Sequence, residues 1–89
     1  MTNERIEVAI RASGSMSAVF EISFKTRKPI KGMFIESPDF RELSRKNLWR
    51  IVPESRLEEY TKSHDEALAR IFNGAEFTKL QLVTKAALN

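Results

Sequence analysis

The clearest pattern along the chain is the strict alternation from Ala18 to Lys25. Phe20, Ile22 and Phe24 fall on one face, with Glu21, Ser23 and Lys25 on the other. Aromatic and β-branched residues recurring at every second position predict a half-buried strand. Arg27-Lys28-Pro29 breaks it, since Pro29 has no N–H and suits a turn or a strand start. Ile30 to Glu36 reads as a second strand, and Gly32 in its middle predicts a bend or bulge where a small sheet curls. Ser37-Pro38-Asp39 ends that strand, and 39–46 is a polar connector with room for one helical turn. Asn47 to Val52 is a strongly apolar third strand, halted by Pro53.

Other segments carry two periods at once. In Asn3 to Ser13, Ile6, Val8 and Ile10 alternate as in a strand, while Ile6, Ala9 and Ile10 sit at helical spacing. Thr2 as N-cap, Glu4 in the first turn and Ser13-Gly14-Ser15 as a stop favour a short helix, with a strand as the alternative. Ser55 and Glu58 have capping-box spacing and predict a short helix over about 56–62, with Leu57 and Tyr60 pointing the same way. Leu68 to Phe72 fits a helical stripe behind a second Ser63/Glu66 box, which Asn73-Gly74 would cap. Asn-Gly is equally a hairpin signal, and Phe77 to Val83 beyond it is a good strand. The segment is therefore read as a strand, joined to the last by a terminal hairpin or a tight corner.

This order of elements resembles the small five-stranded barrels of the SH3-like and Sm-like type. Ile22-x-Phe24 falls where the Sm pattern has its first apolar strand, and Gly32 on the Gly of its second. Asp39 and Asn47 echo its Asp…Asn pair, more widely spaced than in the family. Ile71-Phe72-Asn73-Gly74-x-x-Phe77-x-x-Leu80 resembles the closing motif, with Asn73 where that motif has a base-contacting Arg and one extra residue before Gly74. The resemblance implies a mainly β fold with short helices, a single five-stranded SH3-like or Sm-like barrel over 18–83. A helix or strand plus linker over 1–17 would precede it and a tail over 84–89 would follow. The alternative is an α+β fold with a helix near 64–73.

Composition narrows the chemistry. The 89 residues are 42% hydrophobic and 30% charged, as in one small globular domain. With no Cys and one His, disulfides, thiolate metal sites and a Cys nucleophile are excluded. His64 lies in a polar stretch with no nucleophile elbow, and no phosphate-binding glycine motif occurs. No cofactor and no enzymatic activity are expected. No apolar run exceeds three residues and no secretory signal pattern opens the chain, so a cytoplasmic protein without a membrane partner is expected.

The formal net charge of +3 conceals a marked asymmetry. From Lys25 to Arg50, eight basic residues face three acids, a local +5; from Glu54 to Glu66, five acids face two bases, a local −3. The basic segment raises the expectation of single-stranded RNA or DNA binding through Lys25, Arg27, Lys28, Lys31, Arg45, Lys46 and Arg50, with Trp49 as a base-stacking ring. The two segments are also complementary in sign, which suits head-to-tail contacts. A small barrel offers open strand edges besides. A non-enzymatic module for protein–protein interaction or self-association is therefore the leading reading, with nucleic acid as the alternative.

Overall fold

The computed structural model describes residues 1–14 and 18–84. Helix α1 runs over Asn3–Ala12, and Thr2 caps it, its hydroxyl accepting the Arg5 amide at 3.3 Å. Gly14, at φ +79°, supplies the left-handed residue just beyond the helix. Ile6 and Ile10 are buried while Val8 is 66% exposed, so helical spacing, not alternation, decides which side chains turn inward.

Five strands follow: β1 (Val19–Phe24), β2 (Ile30–Phe34), β3 (Leu48–Pro53), β4 (Arg70–Asn73) and β5 (Phe77–Thr84). Helix α2 (Phe40–Arg45) fills the β2–β3 connection, and α3 (Leu57–Ser63) lies between β3 and β4. Short 3₁₀ turns occupy 54–56, 66–68 and 74–76. All strand pairings are antiparallel, in the order β4-β3-β2-β1-β5. The molecule is thus a small α+β protein built on an open five-stranded sheet. The expected tail begins inside β5 at Thr84; its remainder, 85–89, and the 15–17 part of the expected linker lie outside the described residues.

One face of the sheet meets α1. Ile6 and Ile10 join Phe20, Ile22, Phe34, Trp49, Ile51 and Phe77 in a single buried cluster. Each such apolar side chain contributes about 1.5–3 kcal/mol on burial. Phe20 meets Phe34 edge-on with ring centroids 5.7 Å apart, and Phe34 meets Trp49 at 5.9 Å.

The sheet is strongly curled. Two strands separate β1 from β4, so in a flat sheet they would lie about 14 Å apart. Yet the Phe24 and Phe72 rings are 5.8 Å apart. The 74–76 turn can join the end of β4 to the start of β5, which lies beside the end of β1, only because of this curl.

Several local expectations are corrected. Gly32 marks no bulge; the register shifts lie in the β1–β5 pair. Its role is close approach, since a Cβ there would stand 2.6 Å from Ile51 Cγ2 and 2.9 Å from the Val52 carbonyl oxygen. The Ser55/Glu58 box does not form, because a 3₁₀ turn beginning right after Pro53 places Ser55 inside it and leaves Arg56 at the head of α3. At the second box, Asp65 rather than Ser63 caps, accepting the Ala67 amide at 2.9 Å. Two expectations hold: residues 70–73 form the expected strand, and of the two junctions expected at Asn73-Gly74 the tight corner forms, because β5 pairs with β1.

Candidate functional site

Trp49 is not a stacking platform. It is 1% exposed, lies edge-on to Phe34 and Phe40, and its indole N–H donates to Asn47 Oδ1 at 2.8 Å. Alternation along β3 turns it, with Ile51, into the core, so no ring face is open to a base.

The basic residues fall into unequal groups. Arg50 is committed: its guanidinium holds the Asp39 carboxylate at 2.8 and 3.2 Å, and Asp39 also accepts from the Ser37 hydroxyl at 2.5 Å. The Arg50 bonds, aided by Ser37, lower the Asp39 pKa to about 2, and Asp39 in turn raises that of Arg50. Asp39 therefore serves Arg50, 11 residues along the chain, and does not pair with Asn47. Lys46, the C-cap of α2, stands 4.0 Å from Glu42, both side chains being exposed. Lys25, Arg27, Lys28, Lys31 and Arg45 are exposed and have no ion pair among the described residues.

The 74–76 turn draws part of this set together. On one side the Lys25 amide donates to the Glu76 carbonyl at 2.9 Å; on the other the Gly74 amide donates to the Asn47 carbonyl, next to Lys46, at 2.7 Å. The Met1 ammonium donates to the Gly74 and Phe77 carbonyls at 2.9 and 2.8 Å. Desolvation there, followed by the charges of Lys25 and Arg5, lowers its pKa. Among the described residues no hydrogen bond or ion pair joins Arg45 or Lys31 to this cluster.

The turn also borders a cleft that the pattern of residues did not disclose. Phe24, Arg27, Ile71, Phe72, Asn73 and Glu76 line a hollow of about 200 Å³. Arg27 lies over the Phe24 ring at 5.1 Å and the Phe72 ring at 5.8 Å. The signal for it was the long-range pairing of β1 with β5, which no local pattern reports.

The acidic segment forms its ion pairs locally, although the charge of Glu66 also acts on Arg50 and helps to raise its pKa. Glu58 pairs with Lys62 and Glu59 with Arg56, both within or beside α3, and no ion pair links 54–66 to 25–50 among the described residues. His64 is exposed at φ +54°, its ring edge-on to Tyr60. Among the described residues no group of three or more His, Asp or Glu lies together to hold a metal, and no helix is long and apolar enough to cross a membrane. No protein-family model, curated protein or solved structure matches the chain.

Proposed function

We propose that the protein is a non-enzymatic binding module that works through protein–protein contact, self-association included. The observation that carries this is the open sheet. Among the described residues β5 pairs only with β1, and β4 only with β3, so each leaves one edge of backbone donors and acceptors unpaired. β5 is the longer edge, and Leu82 and Val83 are 43% and 45% exposed. Two β5 edges related by a two-fold axis would pair antiparallel and cover both side chains at once. Sedimentation at rising protein concentration tests this. A Leu82→Lys variant should stay monomeric, while Val8→Lys on the exposed face of α1 should associate like the parent.

An SH3-like or Sm-like barrel is the proposed finer architecture. In support are the leading helix, the strand order and the curl that sets Phe72 beside Phe24. This barrel curls without pairing β4 to β5 among the described residues, so nuclear Overhauser effects should link Phe24 to Phe72 while showing no backbone pairing between 70–73 and 77–80.

A second reading, single-stranded nucleic acid, is favoured by one observation: Lys25, Arg27, Lys28, Lys31 and Arg45 carry exposed charge with no ion pair among the described residues. It predicts salt-sensitive retention on RNA or DNA, weakened by Arg45→Ala with Lys46→Ala.

A further inference from the structure

We infer that the cleft between the β1–β2 turn and β4 receives an extended acidic peptide of a partner protein, added as a strand to the β4 edge; this rests on the protein-binding reading above. Ile71 and Phe72 are neighbours on β4 and so point to opposite faces of the sheet. The hollow touches both residues and so lies against the strand itself, whose edge away from β3 is unpaired among the described residues. A peptide lying along it gains main-chain hydrogen bonds, and an apolar side chain can rest against Ile71, which is 49% exposed.

Charge selects the occupant. Arg27 lines the cleft and Lys25 is tied to its rim by the hydrogen bond from its amide to the Glu76 carbonyl, with Lys28 next along the turn and Arg70 one residue before Ile71, while Glu76 is the acid in the lining. Carboxylates flanking the apolar anchor would meet this excess, Arg27 offering a bidentate partner already held over two rings. A second copy of the chain fits poorly, since its own free edge, β5, would bring Lys79 toward these cations. Its acidic 54–66 stretch is helical over Leu57–Ser63, not extended. A nucleic acid would leave the strand edge unused and would find the Phe24 and Phe72 rings already covered by Arg27.

The test uses the full chain and three labelled probes: a hexapeptide of alternating glutamate and valine, its lysine–valine counterpart, and oligouridylate. Fluorescence anisotropy should show binding of the glutamate peptide only. That binding should weaken about tenfold or more in Arg27→Glu and in Ile71→Lys, and stay unchanged in Lys62→Glu on α3. In the parent protein the peptide should shift the amide resonances of Ile71, Phe72 and Asn73, a readout that needs no variant to fold. Equal binding of the lysine peptide, preference for oligouridylate, no binding, or shifts at 71–73 driven by protein concentration alone would each overturn the inference. If the peptide fails to bind a protein that still self-associates, this inference falls and the protein-binding reading stands. If a monomeric protein binds the peptide, this inference is supported and self-association is lost.

Discussion

The Gly74 amide donates to the Asn47 carbonyl at 2.7 Å, so the corner between β4 and β5 is tied to the residue that launches β3. The approach leaves no space for a side chain: a Cβ on residue 74 would collide with the Asn47 amide and reach within 2.6 Å of Ile6 Cδ1. Gly74→Ala is expected to destabilise the fold by about 1–3 kcal/mol, the usual cost of overpacking, measured by urea unfolding.

Asn47 sits at φ +60° while its side chain donates to the Met1 carbonyl at 2.9 Å and accepts from Trp49 at 2.8 Å. Asn47→Ala loses both bonds and places a Cβ-bearing residue without a local polar partner in the left-handed region, about 1–2 kcal/mol of backbone cost alone. Asn47→Gly loses the bonds but not the backbone fit. The alanine variant should therefore unfold at lower denaturant than the glycine variant.

Trp49 provides an optical check. Its burial predicts blue-shifted emission, weak quenching by acrylamide and no change when oligonucleotide is added. Trp49→Phe leaves Asn47 Oδ1 without its donor, a loss of about 1–3 kcal/mol.

The Asp39–Arg50 pair gives a pH signature. The Asp39 pKa is lowered from 3.8 to about 2, so its ionised form favours the folded state. That contribution is present above pH 3.8 and disappears as the pH falls through about 2. In Asp39→Asn the acid limb of the stability profile should be flatter over this window, as acid titrations followed by circular dichroism would show.

Much of the fold was legible from side-chain period. Phe20, Ile22 and Phe24 announced β1, and Thr2 with the Ile6/Ile10 spacing favoured α1 over a strand, because these signals are local. The partner of β5 was not legible: Asn73-Gly74 reports only a reversal of the chain, whereas pairing with β1 depends on how the whole sheet curls. Trp49 was ambiguous for the same kind of reason, since an aromatic in an apolar strand serves either face until its neighbours are placed. The basic residues were visible as a run of charge. Only the structure separated Arg50, spent on Asp39, from Lys25 and Arg27, which stand beside the 74–76 turn and its cleft.

The central claim, self-association through the open β5 edge, is tested most directly by sedimentation equilibrium of the parent chain and Leu82→Lys across a range of protein concentrations. The account predicts that the parent's mass rises above that of one chain while the variant's does not. A parent that remains a single chain at every concentration would contradict it.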